Sequence, residues 1–230
     1  MANVLGYLEE SFRRVPERCA VTDDRVSYSY SEFYHLTRRL GSALAERVGQ
    51  RQGVGIYMEK NADAVAAFFG VQWAGGFYSV LNTELPGGRL QQIVAQLDPP
   101  VIVTSRELLP RAREIFPEEK LCCFEDLALH TEDARRLEKI QARAIDTDPL
   151  YVNFTSGSTG VPKGIVVSSR SVLDFIGCFT ELFGITQDDV IANQAPFDFD
   201  VSVKDIYSAM KAGATLAVVP RRLFSVPTQL

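Results

Sequence analysis

Three short β-prone runs, at residues 54–58, 77–81 and 101–104, alternate with helix-patterned stretches at 62–74 and 90–97. Strands separated by helices are joined by crossovers, not hairpins. The arrangement this favours is a parallel sheet with helices on both faces. The fold class read from this alternation is therefore α/β, a layered parallel β-sheet clad by helices. Ligands of such sheets sit at the carboxyl ends of the strands, so the loops that follow strands are where chemistry is to be sought.

The rest of the chain fits the same scheme. Asn3 precedes an apolar face of Val4, Leu5, Leu8 and Phe12, and reads as the cap of a helix reaching about Arg14. Runs at 20–22 and 26–30 flank Asp23 and Asp24 as a hairpin would. Ser31, Glu32 and Phe33 open a helix with Phe33, Leu36, Leu40, Leu44 and Val48 at helical spacing. A short helix near 108–115 and a strand at 120–124 follow. Residues 132–148, charged and alanine-rich, read as a surface helix or linker. Beyond them come a helix over about 169–183, a strand at 190–193 and a helix starting near Val201.

Composition closes several functional classes. A chain of 230 residues, 46% hydrophobic, can bury a sizeable core, and a net charge of −5 leaves no basic excess for nucleic acid or an anionic membrane. Cys19, Cys122, Cys123 and Cys178 show no metal-ligand spacing and read as buried, reduced thiols of a cytoplasmic protein. With two histidines, His35 and His130, a histidine metal site or a Ser-His-Asp triad is not expected, and each reads as a surface or core residue. No basic segment leads into an apolar run at the N-terminus. The most apolar stretch, 64–81, contains Gln72 and the Gly75-Gly76 break, which suits a buried helix and strand better than a membrane span.

The chemistry concentrates at residues 150–168. An apolar run, 150–154, breaks into Thr155, Ser156, Gly157, Ser158, Thr159 and Gly160, passes Pro162-Lys163-Gly164, and resumes as a second β-prone run at 165–167. The pattern reads as strand, tight loop, strand. Glycines let the backbone turn and approach a ligand closely. Successive N–H groups in such a turn form a concavity for anions. Four hydroxyls add donors, and Lys163 adds a point charge. The spacing is not that of a P-loop, because Gly164 follows Lys163 where Ser or Thr is required. A plain Ser/Gly surface loop is the competing reading.

The string T-S-G-S-T-G-V-P-K-G resembles the phosphate-binding signature of the adenylate-forming superfamily, which includes acyl-CoA synthetases, luciferases and the adenylation domains of nonribosomal peptide synthetases. The resemblance implies that Thr155 to Gly160, with Lys163, wrap the β- and γ-phosphates of ATP. Two earlier segments are similar to further motifs of that superfamily. One is S-Y-S-Y-S-E-F, ending at Phe33; the other is W-A-G-G-F-Y-S-V-L-N-T-E-L-P-G-G-R, from Trp73 to Arg89. Asn82 stands where many members carry Asp, and Ser169 where many have His.

Asp200 lies between Phe199 and a predicted helix. By position it is either an N-cap or a site acid. The run F-D-V-S-V-K-D-I-Y and the A-G-A-T-L after it resemble the superfamily's F-D-x-S motif. In amino-acid-activating members that Asp pairs with the substrate's α-ammonium, which implies this role for Asp200. The resemblance places Phe199, Val201 and Lys204 against the acyl group or side chain. Asp198 is assigned a surface role. The wording is closest to the branch with D-alanine–carrier-protein ligases and nonribosomal adenylation domains.

The resemblance covers essentially the whole chain, as the first half of the large N-terminal subdomain of such an enzyme; a C-terminal subdomain is expected elsewhere. It implies ATP-dependent activation of a carboxylic acid, here an amino acid, as an acyl-adenylate. Transfer to the thiol of a carrier-protein phosphopantetheine or of CoA would follow. No catalytic residue is identified within the chain, the Mg²⁺ ligand is expected in the missing part, and the chain by itself is not expected to turn over. A non-catalytic half-domain that binds a nucleotide or a partner is the alternative.

Overall fold

The computed structural model describes residues 2–156 and 161–220. The helices are α1 (Leu5–Arg14), α2 (Tyr30–Leu44), α3 (Ala62–Trp73), α4 (Gly87–Leu97), α5 (Leu109–Ile115), α6 (Phe124–Ala128), α7 (Ala134–Gln141), α8 (Ser169–Leu182) and α9 (Val201–Ala212). The strands are β1 (Cys19–Thr22), β2 (Ser27–Ser29), β3 (Gly53–Tyr57), β4 (Phe77–Val80), β5 (Val101–Thr104), β6 (Leu121–Cys123), β7 (Pro149–Ser156), β8 (Pro162–Ser168), β9 (Val190–Asn193) and β10 (Thr215–Val218). The predicted alternation is present, with several ends shifted by two to four residues; α6 and β10 have no counterpart in the sequence reading.

The strands form two sheets. One has six strands in the order β6-β5-β3-β4-β7-β8, and the other four, in the order β2-β1-β10-β9. Pairing is parallel throughout except at two edges, where β7 meets β8 and β1 meets β2 antiparallel. The α/β reading holds, and the β1–β2 pair is the hairpin expected around Asp23 and Asp24. Alternation along the strands of the larger sheet explains its two covered faces. Val54, Ile56, Val101 and Val103 point into the main core with α2 and α3, while Tyr57, Leu81 and Ile102 pack under α4 and α5 in a second cluster. The main core also takes Val21, Leu216 and Val218 of the smaller sheet, so one hydrophobic body joins the two.

Local chemistry sets the helix starts. Ser29 and Glu32 form a reciprocal capping box that opens α2 at Tyr30, one residue before the expected Ser31. Asn3 sits one residue ahead of the N-cap position of α1, yet its Oδ1 accepts from the Leu5 N–H at 3.1 Å. All of α3 except Asp63 is buried, which its near-continuous apolar sequence requires. At the carboxyl ends of the strands Lys60 ties the sheets together. Its Nζ donates to the carbonyls of Asn193 at 2.6 Å and Val219 at 2.8 Å.

One expectation is corrected. The four cysteines are free thiols, but Cys178 is exposed and Cys19 and Cys122 are half-buried; only Cys123 is buried. Cys178 lies on the outward side of α8, which packs only one face on the core.

Candidate functional site

The β7–β8 hairpin carries the hydroxyl- and glycine-rich loop at its tip. Its register sets Thr155 opposite Lys163 and Ser156 opposite Pro162, so the two strands bracket the loop as its sequence suggested. Thr155 and Lys163 are both exposed at that mouth. Gly157, Ser158, Thr159, Gly160 and the side chain of Ser156 lie outside the described residues. Arg89, in the first turn of α4, donates from Nη2 to the Thr155 carbonyl at 3.4 Å. Sequence reasoning passed over this cation, because nothing local links residue 89 to residue 155.

A cavity of about 320 Å³ opens beside the hairpin, bounded by β7, β8, α8 and the first turns of α9. Tyr151 and Val167 supply the sheet side, Val172 and Phe175 the α8 side, and Asp200, Val201 and Lys204 the α9 side. Its walls are mostly apolar, and among the described residues its charged lining groups are Asp200 and Lys204. Residues 151 and 155 share a face of β7 by the two-residue alternation. The cavity and the loop mouth therefore lie along one strand face, about 13 Å apart.

Asp200 occupies the N-cap position of α9, but its backbone is helical, with φ −59° and ψ −26°, and its side chain makes no capping hydrogen bond. The capping role that position suggested is thus not taken up by the carboxylate, which lines the cavity instead. Its effect reaches Tyr151: burial, reinforced by the Asp200 charge, pushes the Tyr151 hydroxyl up to about 12. That hydroxyl therefore stays a neutral donor at physiological pH.

Of the expected pocket residues, the structure brings Asp200, Val201 and Lys204 to the cavity. Phe199 is 61% exposed and is not among the lining residues. The Ser202 hydroxyl bonds the Phe199 carbonyl at 2.8 Å and fixes the turn that leaves this ring outside. Lys204 Nζ lies 2.5 Å from Asp205 Oδ1, and Asp205 is buried. Asn193 Nδ2 donates to the other carboxylate oxygen at 3.0 Å. Tyr151, Ser171, Val172 and Phe175 were missed as site residues. The helical spacing of 171, 172 and 175 was legible, but which face would look onto Asp200 was not.

Asp198 is not a plain surface acid. It is half-buried, accepts from Asn82 Nδ2 at 2.9 Å, and borders a small recess shared with Lys60 at the ends of β3, β4 and β9. Burial lowers the pKa of Lys60 to about 8, against the smaller opposing pull of Asp205. Among the described residues no group of three or more His, Cys, Asp and Glu side chains could hold a metal ion. Nor is any of their helices long and apolar enough to cross a membrane.

A family model described as AMP-binding enzyme matches residues 8–230. The chain is similar to tyrocidine synthase 1 of Brevibacillus parabrevis, 29% identical over 215 residues, which make up 93% of this chain and 20% of that protein. It is also similar to the D-alanine–D-alanyl carrier protein ligase of Lacticaseibacillus casei (strain BL23), 26% identical over 221 residues, 96% of this chain and 43% of that one. A four-domain nonribosomal peptide synthetase solved with AMP and glycine superposes with a TM-score of 0.84 at 22% identity, over 99% of this chain and 16% of its own. The chain spans less than half the length of each of these proteins.

Proposed function

The chain belongs to the AMP-binding enzyme family, and from that premise we propose that it supplies the phosphate loop and the start of the acyl pocket of an amino-acid-activating enzyme. In this reading the amino acid's carboxylate attacks the α-phosphate of ATP, giving an aminoacyl-adenylate and pyrophosphate. A thiol, on a carrier-protein phosphopantetheine or on CoA, then displaces AMP. The observation that carries the reading is Asp200, a carboxylate on the wall of an apolar cavity beside the loop-bearing hairpin. A carboxylate facing an apolar pocket is costly once substrate displaces water, unless a cation pairs with it. The α-ammonium of an amino acid is such a cation.

The spatial order along β7 supports the same assignment. The cavity lined by Tyr151 and Asp200 comes first, then the loop mouth at Thr155 and Lys163. An amino acid anchored at Asp200 would direct its carboxylate toward phosphates held at the loop. Charge developing on the departing pyrophosphate needs donors and cations, which in this reading the loop's hydroxyl and glycine residues and Lys163 would supply. When bound with ATP, Mg²⁺ would neutralise phosphate charge; no residue of this chain is assigned as its ligand.

The test is amino-acid-dependent ATP–pyrophosphate exchange on the gene's full-length product. Asp200→Ala lowers kcat/KM for the amino acid by about 10²-fold or more and spares ATP binding. Thr155→Ala combined with Lys163→Ala abolishes exchange. Full exchange in the double variant would remove the loop from the site. Equal rates with an amino acid and its deaminated analogue would remove Asp200 from ammonium recognition.

A further inference from the structure

The two parts of the proposed site belong to different sheets. The loop mouth at Thr155 and Lys163 closes the β7–β8 hairpin of the larger sheet. Asp200 opens α9, the crossover from β9 to β10 in the smaller one. Among the described residues no hydrogen bond or ion pair holds the Asp200 carboxylate, so the backbone of the turn before α9 sets its place. Lys60, three residues past the end of β3, ties that turn to the larger sheet. Its Nζ lies 2.6 Å from the Asn193 carbonyl, 3.2 Å from that of Gln194 and 2.8 Å from that of Val219, which uses all three donors. The ammonium also stands 5.6 Å from the centre of the Phe197 ring, within the same turn. Asn193 passes the hold on to α9, because its Nδ2 donates to Asp205 Oδ2 at 3.0 Å. Apolar packing between the sheets is non-directional and tolerates sliding. Hydrogen bonds from one cation to three converging carbonyls do not. Burial depresses the Lys60 pKa, so the charge is kept at this seam at a cost.

We propose that Lys60 is a positioning residue for adenylate formation: through the turn before α9 it sets the Asp200 anchor in register with the phosphate mouth on the other sheet. The inference rests on the reading of Asp200 as partner of the amino acid's α-ammonium. In the step concerned, a carboxylate oxygen bonds the α-phosphorus as the bond from that phosphorus to the departing pyrophosphate breaks. Lys60 touches neither reactant. The amino acid and ATP each bind to parts that stay intact without it, whereas the attack needs those parts correctly spaced. A misplacement of about 1 Å between reacting groups costs about 10²-fold in rate. Loss of Lys60 therefore shows in the rate of adenylate formation and not in the affinity for either substrate.

The experiment is the pyrophosphate burst of the full-length product, mixed with ATP and whichever standard amino acid supports the fastest exchange. The burst amplitude counts active molecules, and its rate constant does not depend on how many are folded. Lys60→Gln lowers the rate constant by about tenfold or more, while the Kd values for ATP and for the amino acid each stay within about threefold of wild type. Lys60→Arg, which keeps the charge and the donors, recovers most of the rate. A lysine that only stabilised the fold would, when replaced, reduce the amplitude and leave the rate constant alone; that result overturns the proposal. So does a tenfold loss of affinity for either substrate at an unchanged rate constant. Should Lys60→Gln not fold, amide exchange in the wild type decides. The N–H groups of Phe199, Ser202 and Val203, bonded across the turn and the start of α9, exchange in step with the rest of that helix. Exchange far ahead of it would mean that no clamp holds the turn. If an acid lacking the α-amino group reacts as well as the amino acid, the Asp200 reading fails instead. The burst with that acid then reads Lys60 separately, and a rate constant unchanged in Lys60→Gln overturns the positioning role as well.

Discussion

Asn82 and Asp198 meet where the ends of β4 and β9 converge, with Asn82 Nδ2 donating at 2.9 Å to Asp198 Oδ2. An asparagine at this position has a donor to offer. An aspartate would set two carboxylates within hydrogen-bond distance in a half-buried recess, and one of them would have to keep its proton. Asn82→Asp is therefore expected to cost about 1–2 kcal/mol of stability at neutral pH. The sign of its pH dependence follows. A carboxyl whose folded pKa is raised binds more protons folded than unfolded, so the penalty shrinks as pH falls toward about 4. Urea unfolding of wild type and variant at both pH values measures this. A penalty that is absent, or equal at the two values, would remove the Asn82–Asp198 contact from the account. Sequence alone marked Asn82 as a departure and Asp198 as a surface acid. Their meaning depends on a contact between residues 116 apart in the chain, which no local pattern carries.

The packing of α2 on α3 depends on two glycines that approach side chains of the facing helix. A Cβ built on Gly41 would lie 2.3 Å from Trp73 Cβ, and one on Gly70 would lie 2.7 Å from Leu40 Cβ. Either alanine must push the helices apart in the main core. The expected loss is about 1–3 kcal/mol for Gly41→Ala or Gly70→Ala, despite the gain of about 1 kcal/mol in helix propensity. Gly177 in α8 is the control, because a Cβ there meets nothing within 4 Å. Gly177→Ala should be neutral or stabilising by up to about 1 kcal/mol. Thermal or urea unfolding of the three variants decides the point; a common sign for all three would refute the close-packing argument. Helical periodicity in residues 33–48 and 62–74 made both helices legible. Their crossing was not, since nothing in the spacing of Gly41 and Gly70 says that they face one another. The same division holds at the site. Asp200 and Lys204 were legible as candidates through their motif, whereas Tyr151 and the α8 wall join them around the cavity only through tertiary packing. The split into two sheets was hidden likewise, since β1 pairs with β10 from the far end of the chain.

At the scale of the whole molecule, phenol hydroxyls buried among sheets and helices link distant parts of the chain. Tyr30 of α2 donates to the carbonyls of Ala209 and Ala214, at 3.0 and 2.7 Å. Tyr78 of β4 and Tyr207 of α9 share a hydroxyl contact of 3.1 Å inside the core. Burial raises the pKa of all three, and of Tyr151, above the ordinary value of 10.0. A phenol whose folded pKa is raised contributes stability that is complete below the unfolded value and is lost as pH climbs through the folded one. Lys60 works the other way. Its folded pKa, lowered to about 8 from 10.5, makes stability rise between those values and adds nothing further above them. The phenols are several and the lysine is one, so the balance turns against the folded state above pH 10. The protein is expected to unfold cooperatively in alkali, with phenolate absorbance appearing in the same step as the loss of near-ultraviolet circular dichroism. Phenylalanine at Tyr78 and Tyr207 together should move that transition to higher pH, because the two removed phenols can no longer favour the unfolded chain by ionising. Smooth ionisation of every tyrosine near its ordinary pKa, with the tertiary signal intact, would mean that these hydroxyls do not sit in the core that joins the two sheets.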